Sequence, residues 1–305
     1  MCGSFHLSID MGFFLVARNH RVPTLVLVLP ASRSGTAPMR LHLLNDQIEL
    51  TPGLCSVLDD LARHADRWKK FKSTIGLPGL NYILKQAHHF TENPFSILDT
   101  MDIFYPNKFC ADGILGNSFI QCPRLHNLHV SHLRAIDTLE LTHLRTLTFT
   151  YYHGCSFAVL LEKCPVLETF RVGYINKSLE GWEATPISIP RVRHTHLRTL
   201  VLVINKYSVA GAWQSVQLPN LTHLLFGYSD ALCDVARERF NELKAMLSNS
   251  QCVLECIQLF EDMDPDSDIV ASLFQGIRVR SESNSRFVRN HPYNPPDSPP
   301  LAGSS

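Results

Sequence analysis

An α/β solenoid, a curved parallel sheet with helices on its outer side, is the fold class this sequence predicts, and two observations predict it. The first is a recurring apolar triplet. In residues 144–172, Leu144, Leu147 and Phe149 occupy positions one, four and six of a unit, and Leu167, Phe170 and Val172 repeat that spacing 23 positions later. The second lies between them. Phe157, Leu160, Leu161 and Cys164 recur at i, i+3, i+4 and i+7, the stripe of an amphipathic helix, with Ser156 placed to cap its first turn. A strand and a helix of this size do not bury both apolar faces alone, so the pattern requires neighbouring copies stacked against it.

The other copies follow in order. Met39, Leu41 and Leu43 alternate as a strand, and Thr51 with Pro52 starts a helix that carries Leu54, Val57, Leu58, Leu61 and Ala65 at helical spacing. Trp68 and Phe71 take positions one and four of the strand at 68–75, and an apolar helical connection over 80–90 leads to Leu98, Met101 and Ile103. Leu125, Leu128 and Val130 come next, joined through residues 136–141 to the central unit. Beyond the centre the triplet returns as Leu197, Leu200 and Leu202, as Leu221, Leu224 and Phe226, and as Leu254, Ile257 and Leu259. The first positions, 68, 98, 125, 144, 167, 197, 221 and 254, lie 19 to 33 residues apart. Regular leucine-rich repeats run about 20 to 29 residues, so the longer intervals need insertions. Residues 182–190, with two prolines, form one, and the longest interval holds a helix capped by Asp230 with Ala236, Phe240, Leu243 and Leu247 facing inward.

This divides the chain into an irregular N-terminal segment at 1–32, a solenoid at 33–280 and a Pro/Ser-rich flexible tail at 281–305. The apolar runs at 12–17 and 23–29 are separated by Arg18, Asn19, His20 and Arg21, and each is far shorter than the roughly 18 residues of a membrane span. A secretory signal is not expected, because nothing basic precedes the first run. Residues 22–29 read as a strand or buried segment. After Leu259, residues 261–268 read as an acidic turn, 269–274 as a short helix ended by Gly276, and 277–280 as a closing strand.

With 305 residues, 45% hydrophobic and 18% charged, the chain has the means to bury a large core. Its net charge of zero implies no general attraction to nucleic acid or to an anionic membrane. The nine cysteines are odd in number and lack metal-ligand spacing, and Cys164 and Cys256 fall inside the repeat pattern. They read as small buried hydrophobes in a reducing compartment, cytoplasmic or nuclear, without a disulfide framework. The sequons at Asn176 and Asn220 carry no weight without a secretory signal.

No chemistry-bearing constellation emerges. His126, His129 and His132 lie on a strand whose alternation sends His129 to the face opposite the other two, so they do not converge on a metal. Cys252 and Cys256 straddle the start of a strand and read as buried, and the neighbouring His153 and Cys155 lack the context of a nucleophile and base. There is no Gly-rich phosphate loop and no G-x-S-x-G elbow. The basic cluster of Arg67, Lys69, Lys70 and Lys72 around Trp68 reads as a solvated strand with one buried anchor. With no catalytic, cofactor or metal role assigned, the expected role is binding, not enzymatic.

Strand alternation places the binding surface. Residues between and just after the triplet anchors point away from the helices, which lines up Lys70 and Lys72, Thr100 and Asp102, Asn127 and His129, Thr146 and Thr148, Thr169 and Arg171, Thr199 and Val201, His223 and Leu225, and Gln258. Val201, Val203, Leu225 and Phe260 make the C-terminal part apolar, the character of an interaction site. The other reading open here is that the segment after Gly276 folds over them. The candidate partner-binding residues are Thr169, Arg171, Val201, Val203, His223, Leu225, Gln258 and Phe260, with Arg171 and His223 as polar contacts at the rim.

The order of APMRLHL (37–43), HADRWK (64–69), CPRLHNLHV (122–130), KCPVLETF (163–170) and LPNLTHL (218–224) resembles the repeat region of fungal F-box proteins with leucine-rich repeats, over residues 33–280. The resemblance implies a protein-protein interaction module, the substrate-recognition part of an SCF-type ubiquitin ligase. In such families a three-helix F-box docks on the ligase adaptor. Residues 1–30 are too few and too strand-like to make that module, so adaptor contact is expected only with an F-box upstream. The alternative is a stand-alone repeat scaffold or a truncated relative without ligase contact.

Overall fold

A computed structural model of the protein describes residues 5–9, 13–17, 37–44, 50–104, 122–134, 141–153, 157–175, 191–204, 211, 213, 215–228, 234–259, 275 and 278–279. The chain opens with an antiparallel pair, β1 (Phe5–Ile9) and β2 (Phe13–Ala17), and β1 also pairs antiparallel with β3 (Met39–Leu44). Of the N-terminal segment, expected to be irregular, the described residues extend the main sheet; their FHLSI and FFLVA runs consist largely of residues that suit a pleated surface. Helix α1 (Pro52–Ala62) starts where the sequence signals it. Thr51 is extended at φ −84 and ψ 154, its Oγ1 accepts the Leu54 N–H at 3.3 Å, and Pro52 supplies a fixed φ where no N–H is needed.

A 3-10 turn at Ala65–Arg67 delivers the chain to β4 (Trp68–Ser73), and α2 (Leu77–Phe90) leads to β5 (Thr100–Ile103). Then come β6 (Asn127–Arg134), β7 (Thr146–His153), α3 (Phe157–Lys163), β8 (Thr169–Ile175), β9 (Val192–Arg193), β10 (Thr199–Ile204), β11 (Val216–Gln217) and β12 (His223–Tyr228). Helix α4 (Asp234–Ser250), β13 (Val253–Leu254), β14 (Cys256–Leu259) and β15 (Arg278–Val279) complete the described elements.

One eleven-stranded sheet runs β14-β12-β10-β8-β7-β6-β5-β4-β3-β1-β2. From β3 to β14 its nine strands are all parallel, each beside the strand of the preceding triplet. The short strands pair among themselves, β9 with β11 and β13 with β15. The fold class is thus α/β with a large parallel sheet.

Register explains the triplet. Position four of every unit falls in a single row across the sheet: Leu41, Phe71, Met101, Leu128, Leu147, Phe170, Leu200, Leu224 and Ile257. Position six forms a second row, Leu43, Ser73, Ile103, Val130, Phe149, Val172, Leu202 and Phe226. All of these are buried apart from the half-buried Ile257. Position one precedes the sheet strand in most units, Trp68 being the first residue of β4 and Leu254 lying in β13, and one core cluster gathers positions one, four and six with the inner stripes of the helices. Those stripes are Leu58, Leu61 and Ala62 of α1, Leu80, Ile83, Leu84 and Ala87 of α2, Phe157, Leu160 and Leu161 of α3, and Phe240, Leu243 and Leu247 of α4. Ser156, Asp230 and the segments 22–29, 182–190, 261–268, 269–274 and 281–305, for which the sequence makes its own expectations, lie outside the described residues.

Position two locks one unit to the next through the backbone. The N–H of Asp99 donates to the carbonyl of Lys69 at 2.9 Å, that of His126 to Asp99 at 3.0 Å, Arg145 to His126 at 2.8 Å, and Glu168 to Arg145 at 2.8 Å. Arg198, Thr222 and Glu255 continue the ladder at 2.9, 3.0 and 2.7 Å. Its side chains carry mostly alternating charge, and two neighbouring pairs meet: His126 Nδ1 lies 2.8 Å from Asp99 Oδ1, and Arg145 Nη1 lies 3.3 Å from Glu168 Oε1.

Candidate functional site

Side chains alternate across a strand, so once positions four and six face the helices, positions three and five face away. The register assembles them into two rows. One runs Arg40, Lys70, Thr100, Asn127, Thr146, Thr169, Thr199, His223 and Cys256; the other runs His42, Lys72, Asp102, His129, Thr148, Arg171, Val201, Leu225 and Gln258. None of these residues is buried; Arg40, Lys70 and Arg171 are exposed and the others half-buried. Positions four and six on the other side have under one tenth of their surface accessible, again apart from Ile257. The sheet therefore has one covered face and one open strip two residues wide.

The expected site residues Thr169, Arg171, Val201, His223, Leu225 and Gln258 all stand in this strip. Val203 does not. It is 8% exposed, at position seven of its unit, where Ser131 at 1% and Thr150 at 8% are also enclosed. The strip closes at that level in the middle of the sheet, so Val203 offers little contact surface, and among the described residues the apolar end consists of Val201 and Leu225. Phe260 lies outside the described residues.

Three residues escaped the sequence reading. Arg40 and His42 bring β3 into the rows, and their alternation with Met39, Leu41 and Leu43 is the signal that identifies them. Phe104, 42% exposed, directly follows β5, and its N–H donates to the Ser73 carbonyl at 2.8 Å. It shares the parity of Thr100 and Asp102 and so stands at the upper margin of the open side.

The N-terminal half of the strip is polar and linked. Lys72 Nζ lies 3.6 Å from Asp102 Oδ2, and His129 Nδ1 lies 3.3 Å from Asp102 Oδ1. Burial holds the His129 pKa below its ordinary value; Asp102 opposes this, while Lys72 and Arg171 add to it. His42 is also held low by burial, then by Lys72, against Asp102. Both imidazoles are therefore neutral near pH 7, and the one carboxylate between them is balanced by Lys72.

No family model matches the chain, and no curated protein does. Among solved structures, a Bacteroides fragilis protein from a structural genomics programme is similar at 9% identity, with 95% of this chain and 98% of that chain covered and a TM-score of 0.29. That likeness carries no argument about fold or function.

The remaining candidates for chemistry resolve into structure. The Cys164 thiol is buried and pushed up to about 12 by that burial, and burial raises Cys252 as well, which disfavours the reactive thiolate at both. His126 and His129 approach different carboxylates, Asp99 and Asp102, and His132 is 3% exposed. Among the described residues no group of three or more His, Cys, Asp or Glu is placed to hold a metal ion. Of the basic cluster, Arg67 donates from Nε and Nη2 to the Ala37 carbonyl at 3.1 and 3.0 Å, and Trp68 is fully buried, so only Lys70 and Lys72 belong to the open strip. Cys155 lies outside the described residues. No described helix is long and apolar enough to cross a membrane.

Proposed function

We propose that the chain is a leucine-rich-repeat-like solenoid that serves as a protein-binding module, with its partner seated on the open strip. The observation that carries this reading is the contrast between rows: positions three and five remain accessible across nine strands while positions four and six are enclosed. A strip of hydroxyls, amides and charges that passes into Val201 and Leu225 supplies both the polar contacts and the apolar anchor of a protein interface. The test compares captured partners of Val201→Asp and Leu225→Asp with those of Glu238→Lys, which alters an exposed position of α4. The inner variants are expected to fold and lose the partner while the outer one keeps it. Loss with Glu238→Lys, and retention by both folded inner variants, would overturn the assignment.

The resemblance to F-box repeat proteins supports reading the partner as a ubiquitin-ligase substrate, and the alternative is a stand-alone scaffold. Depleting the chain lengthens the partner's half-life in the first case and leaves it unchanged in the second.

A further inference from the structure

We infer that the partner presents an acidic extended segment, laid across the strands, with carboxylates at two stations and an apolar residue just beyond the second. This rests on the open strip being the binding surface and goes further by naming what it binds. From β3 to β8 the two outward rows hold four cations, Arg40, Lys70, Lys72 and Arg171, against a single carboxylate, Asp102. The whole chain balances 28 basic with 28 acidic residues, so the excess of positive charge here is a local property of this face. Asp102 is already engaged by Lys72 at 3.6 Å and His129 at 3.3 Å, which leaves Lys70 on β4 and Arg171 on β8 as two exposed positive stations.

The spacing sets the length of the segment. Lys70 and Lys72 are on β4 and Arg171 on β8, four inter-strand steps, about 19 Å at roughly 4.8 Å per step. An extended peptide advances about 3.3 Å per residue, so acidic groups about six residues apart reach both stations. Between the stations lie Thr100, Asn127, Thr146 and Thr148, with Thr169 beside Arg171 on β8, short donors suited to carbonyl and carboxylate oxygens. Val201 and Leu225 stand one and two strands past Arg171, about 5 and 10 Å on, which places the apolar anchor two or three residues after the second acid.

A labelled ten-residue peptide tests this, carrying two glutamates six positions apart and a leucine three positions after the second, with serine and glycine elsewhere. Fluorescence anisotropy with the full chain is expected to give micromolar binding that weakens at least tenfold when both glutamates become glutamine, and again when Lys70→Glu or Arg171→Glu is introduced. Both substitutions are at exposed positions, and unchanged thermal melting confirms the fold. Raising salt from low to high is expected to weaken binding, as charge pairing at an exposed rim requires. Equal binding of the glutamine peptide, or no effect of either charge reversal, would overturn the inference, as would tighter binding of single-stranded oligouridine through the same two cations. If the natural partner is lost in Val201→Asp and Leu225→Asp but kept in Lys70→Glu and Arg171→Glu, the open-strip reading stands and the acidic class alone fails. If all four variants keep it, the surface itself is wrong.

Discussion

His194 is clamped to Cys164 across one unit of the array: its Nε2 lies 2.8 Å from the Cys164 carbonyl oxygen, and the Leu197 N–H donates to its Nδ1 at 3.2 Å. Nδ1 accepts, so Nε2 carries the proton, and one neutral imidazole satisfies a carbonyl just past the end of α3 and an N–H in the turn before β10. His194 is 4% exposed, so neither group finds water if the ring is removed. His194→Ala is expected to cost about 1–3 kcal/mol, the penalty of stranding buried backbone groups. Thr195→Ala, at the exposed neighbouring position, is expected to stay within about 0.5 kcal/mol. Urea unfolding of the two variants checks this; equal midpoints would show that the clamp contributes nothing.

The same neutrality sets a pH dependence. Burial is the first cause that lowers the pKa of His194, His129 and His42 in the folded protein. The unfolded chain, with ordinary histidines near pKa 6.5, therefore takes up protons first. Stability is fully present above about pH 6.5 and is lost as pH falls through that value toward the lower folded pKa values. Unfolding midpoints are expected to be level from pH 8 to 7 and to decline from about 6.5 to 5, with a shallower decline in His129→Gln. A level curve down to pH 5 contradicts it. Asp99 acts in a lower window. Burial raises its pKa, but the hydrogen bonds and charge of His126, with Thr100 and Lys69, outweigh burial and hold it below the ordinary value, so its contribution is lost only at more acid pH.

What the sequence made legible follows from which interactions are local. Leu144, Leu147 and Phe149 announce their unit because burial at positions one, four and six is demanded of every copy, and the register then repeats it from Leu41 to Ile257. Strand parity likewise locates Arg171, Val201 and Leu225, since it needs only the neighbouring residues. Val203 fails for the opposite reason. It has the right parity, but its burial depends on what encloses position seven, a property of the assembled sheet that no local pattern encodes. The Lys72, Asp102 and His129 network is of the same kind: the three residues are 30 and 27 positions apart and meet only because parallel pairing fixes their register.

Gln251 tests the local backbone. It follows α4 with φ of 53, in the left-handed region that disfavours a β-carbon, and it is exposed. Just before it, Ser250 Oγ donates to the Met246 carbonyl at 2.7 Å and accepts the Leu218 N–H at 2.9 Å, so the helix end is held in place and does not relax the strain. Gln251→Gly is expected to stabilise the protein by about 1 kcal/mol, read as a raised melting temperature. Gln251→Val, β-branched at the same φ, is expected to lower it.

The most demanding prediction concerns the inner row. Leu147 and Leu200 are fully buried, Leu147 between Leu128 and Phe170 and Leu200 between Phe170 and Leu224. Because each strand shields its neighbours' apolar side chains, a charge at either point is desolvated without a partner and costs several kcal/mol, a large part of the 5–15 kcal/mol that typically holds a domain folded. Leu147→Asp and Leu200→Asp are expected to unfold or to melt far below wild type, and to lose hydrogen-exchange protection in the adjoining strands as well as their own. Thr148→Asp and Thr199→Asp introduce the same charge one residue away, on the open side, and are expected to remain within about 1 kcal/mol of wild type. Leucine variants that melt like wild type would overturn the assignment of positions four and six to the interior, and threonine variants as damaged as the leucine ones would show that the strip is not open.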